Sequence, residues 1–337
     1  ANTFGDYSAD GFDMHQAWAQ LKIGWGLDLK IGRQEVNLDG QRIVGAVGWA
    51  DQARSFDGLL LNYGCSSVQA KLFWFKLRDA DVEGISDSLD FMGAWGRWKA
   101  HKALSASIYA LYDRDRDGDR KRDRVTTGLL LTGKPMPGLA YTLEGYLQFG
   151  SGTAVTGDPP VDAGDYDIFA FLAAAEVSYT LSVPWSPKIA LFADYLSGDD
   201  DVTDDKRKSF DTLFATNHKF YGFMDFFLNI PLHTQNRGLV DVGGRLFLKP
   251  LKTLLMRLDV HAFMLAQEFE DGAGNSERYF GLEVDGTIQY KLNRWVGLEL
   301  VGGIFAPGAG MMCLRGGGCG NEKDTQLFGY LQMDAKF

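Results

Sequence analysis

Asp113-Arg114-Asp115-Arg116-Asp117-Gly118-Asp119 places acids at alternate positions with a glycine sixth, the opening of a calcium loop. A bidentate Glu would have to close the coordination at the twelfth position, where the chain carries Arg124, and the interspersed arginines would neutralise the acids. The same residues also read as a solvated outer loop. Asp199-Asp200-Asp201 and Asp204-Asp205 form a second acidic cluster, of a kind that could hold divalent ions bridging lipopolysaccharide. Cys313 and Cys319 enclose Leu314-Arg315-Gly316-Gly317-Gly318, flexible enough for the sulfurs to meet. That spacing is read as a disulfide made in an oxidising compartment, because a metal site would want more thiol or imidazole ligands. Cys65 has no evident partner.

None of the five histidines, His15, His101, His218, His233 and His261, shows metal spacing such as His-Glu-x-x-His. No phosphate loop or nucleophile elbow occurs, and no cofactor motif. Ser209 and His218 are the nearest pair to a hydrolase on a barrel face, with nothing in the sequence to join them. An enzyme is therefore not expected.

The elements that would have to position these groups alternate nearly everywhere. Leu139, Tyr141, Leu143, Gly145, Leu147 and Phe149 interleave with Ala140, Thr142, Glu144, Tyr146 and Gln148. Phe280, Leu282, Val284, Gly286, Ile288 and Tyr290 interleave with Gly281, Glu283, Asp285, Thr287 and Gln289. Period two is the signature of strands with two different faces, and the segments reach the length of about 9–11 residues that a tilted strand needs to cross a bilayer. Tight connections, such as Trp25-Gly26, Met136-Pro137-Gly138 and Leu292-Asn293-Arg294, alternate with long polar or glycine-rich ones over 36–55, 79–87, 114–123, 150–166, 198–237, 268–276 and 306–323. Aromatic residues gather at the tight-turn ends: Trp25, Tyr63, Trp185, Tyr290 and Trp295. The chain closes on the alternating strand Leu331 to Phe337. Together these features predict an all-β fold, a transmembrane antiparallel up-and-down barrel with short periplasmic turns and long outer loops.

Fifteen segments can be placed, whereas bacterial single-chain barrels have an even number; about sixteen strands are expected, with fourteen or eighteen as alternatives. The odd strand would lie upstream of Ala1, within residues 1–10, or hidden in 198–237. The 337 residues are read as a single barrel domain, 45% hydrophobic and 13% aromatic, too apolar for a disordered chain. With 34 basic against 44 acidic residues, the net charge of −10 argues against a nucleic-acid partner. No apolar run is long enough for a transmembrane helix.

Parity assigns Lys30, Lys71, Arg97, Glu144, Glu176, Asp194, Asp241, Arg245, Arg257, Asp259, Glu283, Asp285, Glu299 and Asp334 to the inside. Charges that alternate with lipid-facing residues must line a wet or internally paired lumen. A barrel of this size is wide enough for a water-filled channel. Two loops are expected to fold into the lumen or mouth. Residues 36–55 carry Arg42, Trp49, Asp51 and Arg54. Residues 198–237 carry Asn217, His218 and Lys219 among Phe210, Phe214, Phe220, Phe223, Phe226 and Phe227, although those aromatics could instead extend the lipid-facing wall.

Ile31-Gly32-Arg33-Gln34-Glu35, Gln41-Arg42-Ile43-Val44-Gly45, Trp49, Ser55-Phe56-Asp57-Gly58 and the later stretch Leu213 to Gly222 resemble segments of the alginate-export family of outer-membrane barrels. The resemblance implies a porin-like channel in the bacterial outer membrane, facing membrane lipid and lipopolysaccharide. In the alginate exporter an electropositive pore passes an anionic polysaccharide by facilitated diffusion. By that likeness Arg33, Arg42 and Arg54 would be guanidinium contacts to carboxylates, and the solute a polar, anionic sugar-type molecule or oligosaccharide. Lys71, Arg97, Asn217, His218, Lys219, Arg245 and Arg257 complete the constriction candidates, with Arg33 sharing parity with lipid-facing Ile31. A plugged structural or adhesive barrel and a lipid hydrolase are the alternatives.

Overall fold

The computed structural model describes residues 14–50, 53–78, 87–117, 120–156, 161–201, 203–270, 276–315 and 324–335. Its strands are β1 Ala17–Gly24, β2 Leu27–Gln34, β3 Phe56–Gly64, β4 Val68–Arg78, β5 Asp87–His101, β6 Leu104–Asp117, β7 Arg120–Met136, β8 Leu139–Thr156, β9 Val161–Thr180, β10 Lys188–Leu196, β11 Lys206–Arg207, β12 Leu239–Leu251, β13 Leu254–Glu270, β14 Ser276–Lys291, β15 Val296–Pro307 and β16 Gln326–Ala335. Two short helices, α1 Ile230–His233 and α2 Ala309–Arg315, sit in the long connections. All sixteen strands belong to one sheet; fifteen pair in chain order, each antiparallel to its neighbour. The sixteenth, β11, adds to β9 in parallel and lies inside the 198–237 segment.

The two-residue period separates the faces. In β10, Ile189 and Leu191 are 50% and 62% exposed, while Ala190, Phe192, Asp194 and Leu196 are buried. In β8, Leu143, Leu147 and Phe149 face outward and Tyr146 and Gln148 inward. The outward band is apolar because lipid tails, not water, are its solvent. At the short-turn end, Trp25, Trp98, Trp185, Trp295, Tyr63 and Tyr290 are exposed, an aromatic girdle at one rim.

The structure departs from simple alternation in β14. Phe263 pairs with Gly281 and Met264 with Tyr279, so Phe280 is an extra residue in a bulge. Phe280 is consequently fully buried inside, although its parity with Leu282 and Ile288 places it outside. Residues 114–117 and 120–123 of the expected loop 114–123 are strand. β6 and β7 run on as a hairpin, with Asp113 opposite Arg124, Arg114 opposite Asp123, Asp115 opposite Arg122 and Asp117 opposite Arg120. Likewise β8 and β9 take up most of 150–166.

Residues 36–50 and 203–237 lie against the inward faces of the wall. Val36, Leu38, Ile43 and Val44 are buried with Phe210, Phe220, Tyr221, Phe227 and Ile230, and all of them pack with wall residues Phe56, Phe75, Phe91, Phe263 and Phe305. The loop aromatics Phe210, Phe220 and Phe227 are therefore core residues and do not extend the lipid-facing wall. The two loops join each other through a parallel bridge between Val44 and Phe214, flanked by the Gly45 N–H donating to Phe214 O at 2.8 Å and the Phe214 N–H donating to Ile43 O at 3.0 Å.

Candidate functional site

Arg42 is carried into the interior by the loop after β2. Its Nε donates to Glu144 Oε1 of β8 at 3.0 Å, and its Nη1 donates to Asp194 Oδ2 of β10 at 2.5 Å and to the Tyr221 hydroxyl at 3.2 Å. Phe220 stacks beneath the guanidinium at 4.2 Å. Two carboxylates already occupy this side chain, which is 8% exposed. The expected solute contact is therefore corrected: Arg42 is an internal tie, because a buried charge must be paired where it sits. Arg54 differs in partner but not in kind. Its Nη1 donates to Gly45 O at 3.0 Å, Ala215 O at 3.3 Å and Phe214 O, clamping the two loops together.

Arg33 lies on the outer face beside Ile31. It pairs with Asp57 directly across the strands, Nε to Oδ1 at 2.9 Å and Nη2 to Oδ2 at 2.8 Å, so it does not face the lumen. Arg97 does point inward, and ion-pairs with Asp39. Asp39 also accepts from Trp95 Nε1 at 2.6 Å, Ser107 Oγ at 3.0 Å and the Tyr109 hydroxyl. Nothing in the sequence marks this acid. Asp39-Gly40 reads as a turn, and its four donors come from β5 and β6.

Asn217 Nδ2 donates to Thr212 Oγ1 at 2.7 Å and to Leu228 O at 2.8 Å, holding the second loop in shape. The His218 ring stacks between Trp49 and Phe223, with centroids 3.8 and 4.9 Å away, and its Nδ1 meets Asp225 Oδ1 at 2.7 Å. Burial pushes the Asp225 carboxyl above its usual range, partly offset by His218. Ser209 Oγ is buried without a hydrogen-bond partner, so the hydrolase pair of Ser209 and His218 is not assembled. Gly222 follows with φ +83°, and a Cβ there would come within 2.3 Å of Glu283 Oε1. That close approach lets Glu283 accept from the Met224 N–H at 2.8 Å and Asp285 from the Phe223 N–H at 3.2 Å, pinning the loop to β14.

Lys219, Arg245 and Arg257 remain as the basic face of the interior. Lys219 is exposed and donates to Gly40 O at 3.1 Å. Shielding by the loops, then the neighbouring Arg257, Arg42 and Arg245, draws its ammonium below the usual lysine value against the pull of Glu144. Arg257 grips Asp259 with Nε at 2.8 Å and with Nη2, and Arg245 Nη1 reaches Glu176 at 2.5 Å. Lys71 faces inward from β4 among Asn62 and Trp95.

The acidic run is no calcium loop. Asp113 is 2% exposed and bound by Arg124 Nε at 2.8 Å and Arg122 Nη2 at 2.9 Å, and Asp115 faces Arg122 at 3.4 Å. Arg124 also reaches Asp211 of the second loop at 2.7 Å. Among the described residues no group of three acids, histidines or cysteines is placed to hold a metal. Asp51, Asp119 and Cys319 lie outside the described residues, the last of them one half of the expected disulfide with Cys313.

The arrangement is a lipid-facing wall enclosing paired charges, two inward loops and a basic patch. The fold is similar to solved outer-membrane proteins. OccK7 (OpdD) of Pseudomonas aeruginosa superposes with a TM-score of 0.58 at 14% identity, covering 95% of this chain and 77% of that one. The outer membrane protein OprD of the same organism gives 0.54 at 16% identity, covering 91% and 75%. OccAB4 of Acinetobacter baumannii gives 0.52 at 13% identity, covering 91% and 72%. A search of curated proteins by sequence finds no match. The family profile described as Alginate export matches residues 4–313, and with the porin-like fold this makes the chain an outer-membrane β-barrel of the alginate-export family.

Proposed function

We propose that this barrel is a passive channel for polar, anionic sugar-type solutes, narrowed where the loops 36–55 and 198–237 meet the wall. The observation that carries the reading is the exposed Lys219, whose ammonium donates only to a backbone carbonyl while Arg257, Arg42 and Arg245 around it are held by carboxylates. A solute carboxylate could exchange with the water around such a patch, and guanidinium groups suit it as bidentate partners. The fixed ties of Arg42, Arg54 and Arg124 would keep the aperture constant, as a diffusion pore requires.

Single-channel recording in planar bilayers tests the proposal. Conductance steps are expected, blocked by uronate oligomers, with Lys219→Ala weakening the block several-fold. Absence of steps at any voltage or salt would remove the channel. The depth of the loop cluster, with Phe210, Phe227 and Ile230 fully buried, favours a plugged barrel as the second reading. That version expects a silent wild type and a conducting variant lacking residues 203–235.

A further inference from the structure

The outer wall carries a hollow that its own side chains do not fill. The register places Leu248, Met256, Ile288 and Leu300 in one row across β12–β15, and Leu246, Leu258, Gly286 and Gly302 in the next row away from the short turns. Thr287 and Val301 between the rows are buried, whereas Met256, Leu258, Ile288 and Leu300 are exposed, so both rows face lipid. Together they line a groove of about 520 Å³. A Cβ on Gly286 would first meet Gly302 O at 4.0 Å, and one on Gly302 would first meet Phe328 O at 3.8 Å. No close packing therefore demands glycine at either position, and the space stands open.

The groove runs down to two turns of a single charge. The turn from Leu248 to Leu254 carries Lys249 and Lys252, the turn from Tyr290 to Val296 carries Lys291 and Arg294, and neither holds an acid. All four cations are exposed. The Lys291 N–H donates to Thr253 O at 2.8 Å, so the two turns lie side by side. Lys291 follows Ile288 by three residues, roughly 10 Å along the strand. The Arg294 guanidinium stacks on the Trp295 ring at 4.4 Å from its centroid, a contact that leaves the N–H fork for oxygen anions. Glu299 and Asp334, the acids of the adjoining strand ends, alternate onto the lumen side. Glu299 accepts there from Gln289 and the Tyr330 hydroxyl, and Asp334 accepts from Gln332 at 3.0 Å.

We infer that this face binds an anionic glycerophospholipid of the periplasmic leaflet, with its phosphate at Lys252 and Arg294 and one acyl chain in the groove over Gly286 and Gly302. The groove opens within the band already immersed in lipid, and the short turns lie on the periplasmic side, where the leaflet is phospholipid. Positive side chains without an acid among them match a headgroup of net negative charge better than a zwitterion. The site is on the outside of the wall and stands whether or not the barrel conducts.

Native mass spectrometry of the full chain in detergent tests it, by titration with phosphatidylglycerol and with phosphatidylcholine of the same acyl chains. One phosphatidylglycerol should be retained saturably, at least fivefold more tightly than phosphatidylcholine. Lys252→Gln with Arg294→Gln should remove that preference. Gly302→Leu, which fills the groove without touching the charges, should weaken retention of both lipids several-fold. Lys102→Gln with Lys134→Gln, a charge loss at other turns of the same rim, should change neither, and heat-modifiable mobility on gels checks that each variant is folded. Equal retention of the two lipids by the wild type, an undiminished preference in folded Lys252→Gln with Arg294→Gln, or an equal loss in the rim control overturns the inference. So does a two-chain assembly that persists without added lipid and is broken by Gly302→Leu, since that gives the groove to a second copy.

Discussion

The β6–β7 hairpin tip and the loop that carries Arg42 use the same chemistry at opposite ranges. At the tip, Asp113 faces Arg124 and Asp115 faces Arg122 because the strands pair in that register. In the loop, Arg42 finds Glu144 at a separation of 102 residues and Asp194 at 152. The tip is a ladder whose pairs form as soon as the hairpin forms. The loop tie exists only when β8, β10 and the path of residues 36–50 are all in place. Burial then sets the stakes, since a pair without water must stay complete.

The contrast is broken most sharply at Arg42. Arg42→Ala leaves Glu144 and Asp194 buried and unpaired, and should lower stability by about 3–5 kcal/mol. Denaturant-driven loss of heat-modifiable mobility measures it, and adding Glu144→Gln with Asp194→Asn should recover part of the loss. A midpoint for Arg42→Ala equal to the wild type would show that the tie carries nothing.

Arg124 sits between the two cases, because it joins the tip to the second loop through Asp211. Burial pushes the Asp211 carboxyl up, but Arg124 and Arg122 outweigh that and hold it below its usual value. With the folded value below the unfolded one of about 4, the link is fully present above pH 4 and is lost only as pH falls through the lower folded value. Loop 203–237 should therefore resist limited proteolysis equally at pH 7 and pH 5, and become cleavable only below about pH 4. In Asp211→Asn this dependence should disappear.

The smallest effect belongs to the outer side of the tip. Arg116 meets Asp123 at 2.6 Å, but the acid is 43% exposed, and Arg116→Ala should change stability by less than about 1 kcal/mol. A loss as large as that of Arg42→Ala would erase the distinction between the two regions.

Much of the wall was legible, and the reason is local. Ile189, Leu191 and Asp194 announce their faces by parity, and Trp185 and Trp295 mark the rim by type. Phe280 was not legible, since one bulged residue reverses its side without altering the alternation around it. The acidic run reads in sequence as a solvated outer loop, with calcium as the alternative, because alternate acids also suit a strand with one charged face, and only pairing with Arg122 and Arg124 tells them apart. Of the pore candidates, Lys219 stays exposed and Arg257 faces inward paired with Asp259, whereas Arg33 faces out and Arg42 and Arg54 are consumed as ties.

The sequence by itself determined the solvent on each side of most of the wall, because period two is a property of neighbouring residues and charge in lipid is costly. Tertiary structure alone decided which carboxylate answers which arginine. Asp39 receives four donors, whereas Lys71 makes no ion pair among the described residues, though both are polar residues on or above the same inner wall. That outcome depends on where a loop path crosses the lumen, a distance relation between remote residues that no local pattern encodes.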